Sequence, residues 1–347
     1  MEKVVTLKWE NWTLLLLDQT ILPNEVKYQE IKSVEETYVA IRDMIVRGAP
    51  AIGVAAGYGM ALAAYKIEAS NSEDFLTELA KKAEYLNSAR PTAVNLSWAV
   101  ERMMKKAQSL KYKTPHEIVQ LLEKEAIDIH EEDIAINKAI GENLLSLLHE
   151  NDTVLTHCNA GALATADYGT ALSPFYLAKE RGMKLSVYAD ETRPRLQGAR
   201  LTSFELYSAG VDVTLISDNM AAVVMSQGKI DAVIVGCDRI AANGDTANKV
   251  GTFNVSILAK KFGVPMYIAA PTPTIDMNCE SGKQIPIEER DGDEILCING
   301  VYIAPKGMKT YNPAFDVTPA ENITAIVTER GIVLPPFAEN LKKIMEQ

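Results

Sequence analysis

Cysteine and histidine are scarce in this chain, with four of each in 347 residues. Cys158, Cys237, Cys279 and Cys297 form no C-x-x-C pair, which argues against a zinc ribbon or a thioredoxin-like dithiol. So few thiols in so long a chain do not make a disulfide scaffold, and a reducing compartment is expected. Four scattered histidines speak against a histidine-built metal site. The P-loop, the G-x-S-x-G elbow and H-E-x-x-H are all missing. Gly53, Gly57 and Gly59 form no G-x-G-x-x-G and follow no strand, so they suit close helix packing better than a dinucleotide. The longest stretch of low polarity, AIGVAAGYGMALAAY (51–65), falls short of the ~20 residues that span a bilayer. The first residues, MEKVVTLKWE, lack a basic start followed by an apolar run, and a cytoplasmic protein is expected. Positive charge is short as well: 35 Lys and Arg face 46 Asp and Glu, a net charge of −11. That works against a nucleic-acid partner and leaves room only for a local basic site for a small phosphate.

What is present is an ordinary globular balance, 47% apolar and 23% charged, at a length that suits two domains. Short runs broken by polar residues over 3–30 predict a small antiparallel sheet. Ser33 and Glu36 form a capping box for a helix expected to reach Val46. Pro50 suits the first turn of a second helix, to about Ala69, and further helices are expected over 72–88, 93–108 and 115–148, the last either continuous or broken once. Then the rhythm changes. Apolar runs recur at 154–157, 184–189, 212–217, 232–236, 265–270 and 323–328, most of them separated by helix-length segments. Runs apolar throughout belong to a parallel sheet covered on both faces. The expected fold is therefore α/β: an N-terminal antiparallel sheet plus helices over 1–125, then a doubly wound, Rossmann-like parallel sheet over 126–347. The stretch 271–322 reads as a long excursion with one hairpin, ILCINGVYIA.

In open α/β sheets ligands bind beyond the carboxyl ends of the strands. Those ends carry Cys158, Glu191 with Arg193, Asp218, Asp238 and Thr272. Cys158 is expected between a strand and a helix start, where a lowered thiol pKa would let it move protons near neutrality; a buried packing cysteine is the alternative. His157 is either its partner or, pointing to the opposite face, structural. Asp238 after a buried strand is either a carboxyl raised by desolvation, fit to be a general acid, or the cap of a turn. Asn248 and Lys249 precede Gly251 and a helix, and Lys249 is a phosphate or hydroxyl binder or a plain surface lysine. Arg47, beside Gly48 and Ala49, and Arg90 interrupt helices; they are phosphate forks or cations balancing a helix dipole.

Six stretches taken in order, RGAPAIG (47–53), ARPTAVNL (89–96), THCNAGALAT (156–165), ETRPRLQGARLT (191–202), GCDRIAANGDTANKVGT (236–252) and NPAFDVTP (312–319), resemble the methylthioribose-1-phosphate isomerases of methionine salvage. The resemblance spans nearly the whole chain. The wider superfamily includes ribose-1,5-bisphosphate isomerases and regulatory subunits of the exchange factor for eukaryotic translation initiation. The resemblance implies an aldose–ketose isomerase acting on 5-methylthioribose 1-phosphate, with Cys158 and Asp238 as the catalytic pair. It implies that Arg47, Gly48, Ala49, Arg90, Gln197, Asn248 and Lys249 hold the substrate, in a cleft between the two domains. It further implies a homodimer. Neither a metal nor a redox cofactor is required by such a reaction. A regulatory, ligand-sensing subunit on the same fold is the rival reading.

Overall fold

The structure, a computed structural model, describes residues 4–90 and 93–346; Pro91 and Thr92 of the second arginine loop lie outside the described residues. The chain forms two compact units. One is Val4–Ile136 together with Ala162–Gly169; the other is Asn137–Gly161 and the chain from Thr170 onward. The division thus falls after Ile136 rather than after residue 125, and an eight-residue segment from the middle of the chain belongs to the first unit.

In the first unit, strands β1 (Leu7–Glu10), β2 (Thr13–Leu17) and β3 (Tyr28–Ile31) form the expected antiparallel sheet in sequence order. The pairs Leu7↔Leu16 and Leu14↔Ile31 put buried side chains on one face. Helix α1 (Val34–Arg42) opens with the Ser33 hydroxyl accepting the Glu36 N–H at 3.2 Å. It stops four residues short of Val46, because Met44 turns into the left-handed region at φ 60°. Helices α2 (Ala49–Lys66), α3 (Ser72–Asn87), α4 (Val94–Ser109) and α5 (Pro115–Leu145) follow, α5 without a break. Helix α2 is buried continuously from Ala51 to Ala64, as a helix that is apolar on every side requires. A Cβ on Gly59 would come within 2.7 Å of Thr37 Cγ2, so this glycine serves close packing. No helix among the described residues is long and apolar enough to cross a membrane.

In the second unit all six apolar runs become strands: β4 (Thr153–Thr156), β5 (Ser186–Asp190), β6 (Asp212–Ile216), β7 (Ala232–Val235) and, after a hairpin of β8 (Arg239–Ala241) and β9 (Thr246–Lys249), β10 (Met266–Ala269). The sixth is β15 (Ala325–Thr328), reached after β11 (Ile275–Asp276), β12 (Cys297–Ile298), β13 (Val301–Tyr302) and β14 (Phe315–Thr318). Helices α6 (Ser173–Glu180), α7 (Ser203–Ser208), α8 (Ala221–Ser226) and α9 (Thr252–Phe262) cross between strands. A one-turn helix α10 (Asp293–Leu296) precedes the β12–β13 hairpin, and β16 (Gly331–Val333) with α11 (Phe337–Met345) ends the chain. The sheet order is β16-β15-β10-β7-β4-β5-β6; all neighbours are parallel except the edge strand β16. Counting only the six parallel strands in chain order, it reads 3-2-1-4-5-6 from β6, the doubly wound order of Rossmann folds. Strands β7, β10 and β15 are buried along their whole length, as their unbroken apolar runs require.

A second sheet, β11-β8-β9-β14, is absent from the sequence reading. Its residues lie in the segments read as turn and excursion. The expected hairpin does form, at Asn299 and Gly300, both with positive φ as a type I′ turn demands.

Candidate active site

The strand order reverses between β4 and β7, and in open α/β sheets the carboxyl ends of the strands at such a switch point are where ligands bind. Cys158 leaves β4 there, and Asp238 leaves β7. The two residues nominated as catalytic thus stand at adjacent strand ends of the switch point. The approach is close: a Cβ on Gly236 would sit 2.5 Å from the Ala160 Cβ.

Cys158 is held in the left-handed region at φ 67°, which costs a non-glycine residue unless its surroundings impose it. They do. Its N–H donates to Thr192 Oγ1 at 2.8 Å, and its carbonyl accepts from Thr202 Oγ1 at 2.6 Å. Thr192 is itself left-handed at φ 64°, fully buried, and donates its hydroxyl to the Asp190 carbonyl at 3.1 Å. Asp218 fixes that turn by accepting the N–H groups of Thr192 and Arg193, each at 2.7 Å. Asn159 donates to Thr202 Oγ1 and to Glu205 Oε1, extending the buried network.

Two expectations are corrected here. No helix starts at Cys158. A three-residue 3₁₀ turn, Ala162–Ala164, is all that forms before α6 at Ser173, so the helix-dipole argument for the thiol does not apply. Asp238 is exposed, so the desolvation expected after a buried strand is not found; its N–H donates to the Ala247 carbonyl at 2.9 Å, closing the β8–β9 hairpin. Cys237 is no rival nucleophile. Its thiol donates to the carbonyls of Arg239 and Ala247, and burial pushes it well above the usual thiol range.

The other nominated residues fall into two groups. Gln197 lies after β5, and its buried Oε1 has no hydrogen-bond partner among the described residues, so it can accept a hydroxyl. Asn248 and Lys249 end β9, just before Gly251 and α9, as expected. Buried Asn248 donates to Thr252 Oγ1 at 3.1 Å. Lys249 is anchored, its Nζ donating to the Ala314 carbonyl at 3.0 Å and lying 4.3 Å from the Phe315 ring centre. Strand β14 pairs Phe315 with Lys249 and Asp316 with Asn248, which explains why NPAFDVTP accompanies the NKVGT stretch. Arg47, Gly48, Ala49 and Arg90 belong to the first unit. Gly48 is the N-cap of α2 at φ 90°, and a Cβ there would lie 2.3 Å from the Ala164 carbonyl oxygen. Half-buried Arg47 and Arg90 stand on the α1–α2 and α3–α4 loops, Arg47 directly before the N-cap of α2.

One group of three ligand-type side chains, His157, Asp190 and Asp218, has donor atoms within 4.8 Å of one another among the described residues. Its geometry is that of hydrogen bonding rather than of metal coordination. His157 Nδ1 faces Asp190 Oδ2 and Nε2 faces the Val250 carbonyl, each at 2.9 Å, while Asp218 is engaged by two backbone N–H groups. Thr192 and Thr202 lie within ETRPRLQGARLT, where nothing in the local sequence marks a role for them. Only the fold shows them gripping Cys158.

The family model of the initiation factor 2 subunit family matches residues 45–335. The chain belongs to this family. Within it, a relative named 5-deoxyribose 1-phosphate isomerase from Clostridium botulinum (strain Kyoto / Type A2) is 64% identical over 349 aligned positions that cover all of both chains. The solved structure of 5-methylthioribose 1-phosphate isomerase from Pyrococcus horikoshii OT3 is 46% identical, covers 99% of this chain and 96% of its own, and superposes with a TM-score of 0.95. A structure described as translation initiation factor eIF-2B, subunit delta, from A. fulgidus is 44% identical, covers 99% and 100%, and has a TM-score of 0.93. The family therefore holds names from both enzymology and translation, and the fold does not choose between them.

Proposed function

We propose that this protein is an aldose–ketose isomerase that converts a 5-modified ribose 1-phosphate to the corresponding ribulose 1-phosphate. The observation that carries the reading is a cysteine held strained at one strand end of the switch point with a carboxylate at the next. A regulatory subunit would not need that pair. Of the two substrates that relatives' names suggest, 5-deoxyribose 1-phosphate is preferred, because that name belongs to a relative 64% identical. The name 5-methylthioribose 1-phosphate belongs to a structure 46% identical, and keeps methionine salvage as the second reading.

The phosphate on C1 blocks spontaneous ring opening, so the protein must assist it. In the proposed sequence, bound substrate covers the otherwise exposed Asp238 carboxyl, which in its protonated form delivers a proton to the ring oxygen as the bond from C1 to that oxygen breaks. Cys158, as thiolate, removes the proton from C2 to leave an enol phosphate. The thiol then returns a proton to C1 while the C2 hydroxyl gives its proton back to Asp238, leaving a ketone. Atoms balance: one hydrogen moves from C2 to C1 and one from the C2 oxygen to the ring oxygen. Gln197 and Asn248 would bind sugar hydroxyls, and Lys249, Arg47 with the N–H groups of Gly48 and Ala49, and Arg90 would hold anionic groups, so positioning supplies part of the rate. A homodimer is part of this proposal. Strand β6 is an open edge with Leu215 exposed, and Met220 and Val223 are exposed beside it; sedimentation at micromolar concentration would test for a second copy.

The test is turnover of 5-deoxyribose 1-phosphate, 5-methylthioribose 1-phosphate and ribose 1,5-bisphosphate in heavy water, with the product read by NMR. Ketose from either 5-modified sugar, with deuterium at C1, supports the proposal. Ketose only from the bisphosphate would overturn the substrate class, and complete absence of deuterium would favour a hydride shift from C2 to C1.

A further inference from the structure

We propose that His157 is a positioning residue for Cys158: its imidazole clamps the ends of β4 and β5 and the Val250–Gly251 loop into one hydrogen-bonded assembly. The inference rests on the isomerase reading for its kinetic consequence, and on the geometry alone for its structural one.

His157 precedes Cys158 and points to the buried face, with 2% of its surface exposed. A backbone carbonyl can only accept, so the contact between Nε2 and the Val250 oxygen requires a hydrogen on Nε2. One proton then lies between Nδ1 and Asp190 Oδ2. It makes either an imidazolium facing a carboxylate or a neutral ring accepting from a carboxylic acid. Both forms keep both hydrogen bonds, so the clamp is closed in either. Burial alone would lower the histidine, but the hydrogen bond and charge of Asp190, with Asp218 4.0 Å away, raise it above its ordinary value. Burial also raises the Asp190 carboxyl, and that of Asp316 on β14, which accepts the N–H groups of Gly251 and Phe253. Three carboxylates thus face or neighbour one imidazole, and none of the arrangement touches solvent at the ring.

The clamp reaches Cys158 by a short route. Asp190 carries His157 on its side chain and Thr192 on its carbonyl, and Thr192 Oγ1 takes the Cys158 N–H. On the other side, Gly251 closes over the ring so tightly that a Cβ there would lie 2.7 Å from the imidazole Cε1 and Nε2. An apolar side chain could fill the same space without desolvating a titratable ring, so plain packing does not account for a histidine here. Lys249 has an independent anchor in the β9–β14 pairing, so loss of the clamp should disturb the thiol's posture more than substrate binding.

Two variants test this. His157→Phe fills the volume and removes both hydrogen bonds. Asp190→Asn keeps them, its amide donating to Nδ1 of a neutral ring that still donates to Val250. The first readout needs no substrate: the rate at which iodoacetamide alkylates Cys158, followed by peptide mass spectrometry across pH. The second is turnover of the sugar phosphates above, well below the melting temperature. His157→Phe should slow alkylation and lower kcat by about 10²-fold, the scale of a small misplacement of a reacting group, with KM little changed. Asp190→Asn should recover most of both. Wild-type alkylation and turnover in His157→Phe, with only a lower melting temperature, would overturn the proposal. So would an Asp190→Asn variant as impaired as His157→Phe, which would assign the effect to charge instead of to the clamp. If the wild type turns over none of the sugars yet His157→Phe still slows alkylation, the isomerase reading falls while the positioning of Cys158 stands.

Discussion

The two units bury different things. In the first, helix α2 is buried from Ala51 to Ala64 in an apolar core that includes the Tyr58 ring, and the nominated Arg47 and Arg90 sit on loops between helices. In the second, the strand ends bury polar groups in quantity: His157, Asn159, Asp190, Thr192, Thr202, Glu205, Asn248 and Thr252. Burying polar groups is costly unless each is partnered, so such a concentration is kept where geometry matters more than cohesion. The contrast separates a strained, hydrogen-bonded polar network at the switch point of one unit from an apolar helical scaffold in the other; in the proposed function the first carries the chemistry and the loops of the second carry the cations that hold substrate.

The largest effects should come from breaking the chemical side. Cys158→Ser and Asp238→Asn should each lower turnover by about 10²–10⁴-fold with circular dichroism unchanged. If the pair acts as a unit, as proposed, the double variant should be little worse than the poorer single. Near-normal turnover in either single variant would move the chemistry elsewhere.

Next in size are the grips. Arg47→Ala and Arg90→Ala should each weaken substrate binding by about 1.5–3 kcal/mol, the scale of a hydrogen bond to a charged group, with the melting temperature nearly unchanged. A marked thermal loss with normal KM would make these arginines part of the scaffold they stand on.

The scaffold itself should answer oppositely. Gly59→Ala places a Cβ 2.7 Å from Thr37 Cγ2 and should cost about 1–3 kcal/mol of stability by overpacking, seen as a lower melting temperature with KM and kcat intact at 25 °C.

The smallest effect sharpens the other side and depends on pH. Burial alone would raise the Asp245 carboxyl, yet hydrogen bonds from Asn243 and from the N–H groups of Ala320 and Gly282 hold it below the ordinary carboxylate range. A depressed carboxyl contributes stability above its unfolded pKa of about 3.9 and loses it as pH falls through the folded value. Asp245→Ala should therefore be less stable than the wild type at pH 7, with the gap closing toward pH 3 in urea titrations. A gap independent of pH would assign the loss to the turn's shape.

Local signals were legible where one segment suffices to state them. Ser33 with Glu36, Pro50 in the first turn of α2, the glycine stripe of that helix and the Asn299–Gly300 turn each depend on a few neighbouring residues. The parallel strands were legible because strands covered on both faces, as β7, β10 and β15 are, must be apolar throughout, and even the partly exposed β5 and the edge strand β6 keep short apolar-rich runs between helices. Strands β8, β9, β11 and β14 were not, because their partners lie far apart in the chain and their residues carry turn chemistry, as Asn243-Gly244-Asp245 does. The helix expected after Cys158 failed for a related reason. Small residues fit a tight helix and a tight loop alike, and tertiary packing of Ala162–Gly169 decided for the loop.

The sequence by itself determined the fold class and the residues at the strand ends, since apolar periodicity and residue type are local properties; it left Cys158 and Asp238 each with a structural alternative, and their nomination as a pair came from the resemblance of six motifs to a known family. Only the tertiary structure decided that β4 and β7 are neighbours at the reversal of strand order, that Asp238 is exposed, and that Cys158 is bent into a left-handed posture by Thr192, Thr202 and, through Asp190, His157. Those facts depend on which segments meet in space, and hydrogen bonds between residues 34 and 44 positions apart leave no period in the chain for a reader to find.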